Sequence, residues 1–281
     1  MFTVLSWWAW AETAVCVIIG TPIVALVFAC TAPFDKGRYA AGRAFRLVAV
    51  TALRLNPLWR FTARGGPLRQ PRHPFVVVAN HESYADIFLI SCFPWEMKWL
   101  SKDTMFKIPL MGWMMQMAGD IRLVRGNRDS AAGAILSCRD RLAKRVSVMI
   151  FPEGTRSKTW EMLPFRDGAF RLAIEAGVPI LPIAIVGTRY AMAKGTFRFL
   201  RARAIAQLLD PIETAGLSLD DVQQLKQRAR RRIEEGRRAL ACELGIRFDA
   251  ADISPTDAAD ILPTDAANTL PANAAALDDP A

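Results

Sequence analysis

Two short stretches of this sequence set reactive side chains at usable spacings. The first is Asn80-His81-Glu82-Ser83-Tyr84-Ala85-Asp86, where an aspartate follows a histidine by five residues. Histidine titrates near neutral pH, so it suits the removal of a hydroxyl proton while that oxygen attacks a carbonyl carbon. A carboxylate in the following turn can fold back to Nδ1, fix the tautomer and leave Nε2 free to accept. This is the histidine–aspartate half of a triad without its serine. A substrate hydroxyl in the serine's place makes the transfer direct, with no covalent intermediate. A polar turn capping a helix would give the same spacing, and Ser83 stays open as a nucleophile although it lacks a GxSxG elbow. The other histidine, His73, sits between Arg72 and Pro74 and reads as a surface residue.

The second stretch is Phe151-Pro152-Glu153-Gly154-Thr155-Arg156-Ser157, directly after an apolar run. Glycine lets backbone N–H groups approach an anion, and arginine offers a planar fork to phosphate oxygens. Such a loop can hold a phosphorylated headgroup, and an ordinary turn would use the same residue types.

Short β-rich runs at Phe75 to Ala79, Ile121 to Val124, Val146 to Phe151 and Ile180 to Val186 alternate with helical stretches near Ile108 to Ala118, Asp129 to Lys144 and Ala169 to Ala176. This alternation predicts an α/β domain over 74–248 with a mostly parallel mixed sheet flanked by helices, its sites at the carboxyl ends of the strands. Both reactive stretches fall at such ends. A charged helix is expected from Leu219 to Leu244, stopping near Gly245.

From Met1 to Pro33 the only charged residue is Glu12, which predicts a retained membrane anchor over 1–35, straight or bent at Gly20 and Pro22. Residues 36 to 73 carry nine Lys or Arg and no Asp or Glu. They read as a basic amphipathic interfacial segment that binds anionic membrane lipids at the cytoplasmic face. An ordinary domain helix with a solvated basic face is the other reading. An Asp/Ala/Pro octad repeat fills 249–281 and predicts a disordered tail, because proline every eighth residue blocks a helix and the composition supplies no core. That tail holds seven Asp and no Lys or Arg, so the rest of the chain is more basic than the net +9. A basic body favours an anionic partner, but no nucleic-acid recognition motif accompanies the charge. Five cysteines without CxxC spacing suggest neither a zinc site nor a disulfide framework.

The chain resembles the glycerophospholipid acyltransferases of the bacterial lysophosphatidate acyltransferase type. NHESYAD at 80–86, GDIRLVRGN at 119–127, FPEGTRS at 151–157 and VPILPI at 178–183 correspond to the four blocks of that family, in order. The resemblance implies transfer of a fatty acyl group from acyl-CoA or acyl-carrier protein to the sn-2 hydroxyl of 1-acylglycerol 3-phosphate (lysophosphatidic acid), giving phosphatidic acid, at the bacterial inner membrane. Another lyso-acceptor, such as a lyso-ornithine lipid, and a non-catalytic lipid-binding protein are the alternatives. The resemblance implies His81 and Asp86 as the catalytic dyad, Glu153, Gly154, Thr155 and Arg156 as the acceptor-phosphate loop, and Arg125 as a second phosphate contact. Pro179 and Pro182 would wall the donor site. It implies no metal or cofactor. The second block departs from the family, with Val124 where an Asp is frequent and Arg122 at a usually apolar position.

Overall fold

The computed structural model describes residues 2–65, 72–193 and 195–246, so the repeat tail lies outside the described residues. Among the described residues seven strands form one sheet: β1 (Trp59–Arg64), β2 (Val76–Ala79), β3 (Met97–Lys102), β4 (Ile121–Leu123), β5 (Ser147–Ile150), β6 (Ile180–Val186) and β7 (Ala202–Leu208). Their spatial order is β1-β7-β6-β2-β5-β3-β4, and only the β6–β7 pair is antiparallel. The helices are α1 (Phe2–Thr31), α2 (Tyr39–Leu55), α3 (Ala85–Ser91), α4 (Met111–Ala118), α5 (Arg128–Ala143), α6 (Gly168–Ala176), α7 (Thr188–Ala191) and α8 (Val222–Leu244).

The central strands are apolar throughout because both sheet faces are covered. Val76, Val78, Val148 and Ile150 pack with Cys138 of α5, Phe170 of α6 and Ile233 of α8. Val77, Ala79, Met149 and Ile183 pack on the other face with Leu89 of α3, Phe93 and Trp95. α8 stops where expected, at Gly245 with φ +69°.

The structure corrects the reading of residues 36–73. Trp59–Arg64 is a sheet strand, paired in parallel with β7 from Trp59↔Ala202 to Arg64↔Gln207. Its arginines at alternate exposed positions imitate a basic surface segment. Much of the basic face of α2 also points inward. Arg43 donates to the carbonyls of Phe93 and Trp95 at 2.9 and 3.4 Å. Arg46, 4% exposed, pairs with Asp120 and lies 3.7 Å from Glu96. Glu96 in turn holds the fully buried Lys98 at 3.0 Å, and Lys98 also donates to the Arg38 carbonyl at 2.7 Å. Two cations and two anions thus compensate one another out of water, where each alone would be costly. Burial pushes the Glu96 carboxyl up and the Lys98 ammonium down.

α2 approaches this cluster through Gly42, where an added Cβ would lie 2.1 Å from Glu96 Oε1 and 2.5 Å from Lys98 Nζ. In an open helix position Gly→Ala gains about 1 kcal/mol. Here neither neighbour can yield without breaking a buried ion pair, so the overpacking loss of about 1–3 kcal/mol wins. Gly42→Ala is expected to lower the Tm of the purified protein in detergent. A raised Tm would show that the helix and β3 are not in close contact.

Candidate active site

The chain leaves β2 into Asn80, whose buried amide extends the sheet by one rung. Its Nδ2 donates to the Ile185 carbonyl at 2.9 Å and its Oδ1 accepts from the Ile185 N–H at 2.8 Å. His81 follows and is held from both ends of its own peptide. Its N–H donates to Glu153 Oε1 at 2.8 Å, and its carbonyl accepts from the Ser157 N–H at 2.9 Å. The two reactive stretches are therefore latched together through the backbone of His81. The imidazole lies flat against Phe151, with centroids 3.9 Å apart and planes at 14°.

Asp86, in the first turn of α3, is completely buried, and its Oδ2 sits 2.7 Å from His81 Nδ1. The same oxygen accepts from the N–H groups of Glu82 and Ser83 at 2.9 and 3.0 Å. With Oδ2 already accepting from two backbone N–H groups, Asp86 faces Nδ1 as an acceptor and selects the tautomer with its proton there. Nε2 is then the accepting nitrogen. Ser83 does not compete as a nucleophile: it is fully buried and its Oγ donates to the Met192 carbonyl at 2.8 Å.

His81 lines a cavity of about 260 Å³ together with Arg125, Thr155 and Arg156. Lys102 at the end of β3 lines it too, as do Phe45, Ile87, Trp99 and three methionines. The site thus joins a basic patch to an apolar wall beside one accepting nitrogen, an arrangement that suits an amphiphile with an anionic head. The Arg156 guanidinium lies 3.9 Å over the Tyr84 ring, which fixes its plane. Arg125 follows β4, as the strand-end rule requires.

Four of the residues expected at the site are not among those lining this cavity. Glu153 is 4% exposed and each of its oxygens is taken by a backbone N–H, from His81 and from Leu163, both at 2.8 Å. Burial pushes its carboxyl up while those two amides oppose the shift. A buried acid bonded in this way braces the loop and does not meet a phosphate. Gly154 adopts φ +70°, and a Cβ there would lie 2.9 Å from the Arg166 guanidinium, so it shapes the turn. Pro179 and Pro182 lie at and within central β6, away from the cavity lining. The sequence reading missed Lys102 because β3, which carries it, was not recognised. Lys98 within MKWLSK hides the apolar alternation, since it is a lysine buried by ion pairing. Among the described residues no group of three or more His, Cys, Asp or Glu is placed to hold a metal ion.

A family model described as acyltransferase matches residues 60–186. A 1-acyl-sn-glycerol-3-phosphate acyltransferase of Chlamydomonas reinhardtii is 39% identical over 146 residues, 52% of this chain and 44% of that one. A chloroplastic protein of the same name from Brassica napus is 40% identical over 44% of this chain and 36% of its own. This chain therefore spans less than half the length of those two relatives. The crystal structure of the 1-acyl-sn-glycerophosphate acyltransferase PlsC from Thermotoga maritima shares the fold, with a TM-score of 0.69 over 83% of this chain and 95% of that one at 24% identity. An uncharacterised acyltransferase of Schizosaccharomyces pombe is 32% identical over 193 residues, 67% of this chain and 68% of its own. With sequence agreement over two thirds of both proteins, this chain belongs to the acyltransferase family.

Proposed function

We propose that the chain transfers a fatty acyl group from a thioester donor, acyl-CoA or acyl-carrier protein, to the sn-2 hydroxyl of 1-acylglycerol 3-phosphate, giving phosphatidic acid. The carrying observation is that the His81–Asp86 pair opens on the same cavity as Arg125, Thr155 and Arg156. The names of the algal and plant relatives support the same acceptor. In this reading His81 Nε2 takes the hydroxyl proton as the oxygen bonds to the thioester carbon. Asp86 stabilises the imidazolium that forms. The tetrahedral adduct then collapses with cleavage of the C–S bond, and the leaving sulfur recovers the proton from Nε2. Arg156 and Arg125 hold the acceptor phosphate, with Lys102 beside them, and the apolar wall takes acyl chain.

Membrane association belongs to the same reading. α1 is long and apolar enough to cross a bilayer. Its contact stripe of Ser6, Ala9, Cys16, Gly20 and Val24 faces the protein, while Trp7, Trp8, Ile18, Ile19, Ile23 and Leu26 point outward. Large apolar side chains on the outer face of a helix fit lipid. Arg54, Arg60 and Arg72 remain exposed for anionic headgroups at the cytoplasmic face.

His81→Ala is expected to lower turnover by roughly 10²- to 10⁴-fold with the fold intact by circular dichroism. Near-normal activity would remove His81 as the base. Arg156→Ala tests the acceptor. One charge-assisted bond contributes about 1.5 to 3 kcal/mol, so transfer to lysophosphatidic acid should weaken by about 10- to 150-fold. Arg156→Lys should restore part of it, because the charge returns without the fork. Transfer to a lyso-acceptor lacking phosphate should fall much less. An equal fall on both acceptors would move Arg156 away from the acceptor phosphate.

A further inference from the structure

Glu82 follows the histidine directly, yet its side chain turns away from the cavity into the protein and is 2% exposed. There its Oε1 accepts from Arg189 of α7 at 3.3 Å and from Arg237 of α8 at 3.2 Å. Arg237, itself 3% exposed, also donates to the Trp160 carbonyl at 2.7 Å and stacks over the Trp160 ring at 4.3 Å. Two turns earlier on the same face of α8, Arg230 donates to the carbonyls of Leu163 and Met162 at 2.7 and 2.8 Å. The Leu163 N–H in turn holds Glu153, the acid that holds the His81 N–H.

Two chains of contact thus start on α8 and converge on the reacting pair. One runs from Arg230 through the 162–163 peptide and Glu153 to the backbone of His81. The other runs from Arg237 to Glu82, whose own N–H is one of the three donors on Asp86 Oδ2. Arg237 lies outside residues 60–186, the part of the chain that the family model matches. Resting on the proposed role of His81 as base, we infer that Arg237 is a positioning residue. From the C-terminal helix it fixes Glu82, and through the Glu82 peptide it orients Asp86 toward His81 Nδ1.

The geometry distinguishes positioning from plain stability. Replacing Arg237 with Met leaves a buried carboxylate with only Arg189 as its partner, and that imbalance pulls Glu82 toward α7. The peptide on Asp86 moves with it, and misplacement by about 1 Å can cost about 10²-fold in rate. Acceptor binding is expected to change less than turnover, since Arg125 follows β4 and lies on a separate loop. Arg237→Lys keeps a cation facing Glu82 from α8, so it preserves the pull on the peptide that Arg237→Met removes.

The experiment uses the full chain in detergent, with lysophosphatidic acid and acyl-CoA, and rates per folded molecule. Arg237→Met is expected to lower kcat about 10- to 100-fold with KM for the acceptor changed less than about threefold. Arg237→Lys should recover several-fold over Arg237→Met, because a cation again faces Glu82 from α8. Since the chain has only two histidines, ¹⁵N-histidine NMR also reads the Nδ1–H that His81 donates to Asp86. That signal should be present in wild type and Arg237→Lys and broadened or lost in Arg237→Met. An unchanged kcat with a lower Tm, or Arg237→Lys no better than Arg237→Met, would overturn the inference and leave Arg237 a stabilising residue. If wild type does not acylate lysophosphatidic acid, the proposed acceptor fails, and the NMR comparison still decides the role of Arg237.

Discussion

Three donors converge on one buried oxygen, Asp86 Oδ2: the His81 ring and the N–H groups of Glu82 and Ser83. The remaining geometry of the site follows from satisfying that atom. A carboxylate oxygen without solvent needs protein donors in place of water. The chain supplies them by winding residues 81–85 into a tight loop whose peptides point inward. The winding turns the His81 ring toward the cavity, lays it against Phe151 and sends the Glu82 side chain to the opposite side. His81 and the basic patch then share one cavity because the His81 peptide is bonded to the loop that carries Arg156.

Burying charge around such a site is expensive, and the molecule keeps two compensated groups for it. Arg46, Asp120, Glu96 and Lys98 join α2 to β3 and to the turn before β4. Asp120 also accepts the Trp99 N–H at 3.0 Å, so the ion pair fixes a strand as well as a helix. Glu82, Arg189 and Arg237 join the histidine loop to α7 and α8. A well-packed apolar substitute would often be as stable, so neither group is explained by stability alone. What each provides is direction, since an ion pair constrains where two elements sit more tightly than an apolar contact of equal area.

The outer helix obeys a different rule. α1 meets α2 through small residues, and at Gly20 an added Cβ would lie 2.4 Å from Val48 Cγ2. Close backbone approach, and not burial of large side chains, makes the contact, as in helix pairs within lipid. The large apolar residues of α1 are left on the outside, the reverse of a helix docked on a soluble core.

The sequence by itself determined the α/β class, the central strands, the end of α8 and the histidine–aspartate pair. Each of these depends on near neighbours in the chain: apolar runs covered on both faces, a glycine at a left-handed helix end, a five-residue loop that closes on itself. Only the tertiary structure decided that β1 belongs to the sheet, that Lys98 is buried, that Glu153 braces the loop and that Arg237 touches Glu82. Glu153 reads as part of an anion loop until its two oxygens are seen to be occupied by amides 72 residues before it and ten after it. The Glu82–Arg237 pair spans 155 residues. Charged side chains carry no mark in the sequence of whether they will face water or one another, because that depends on which distant element comes to lie across from them.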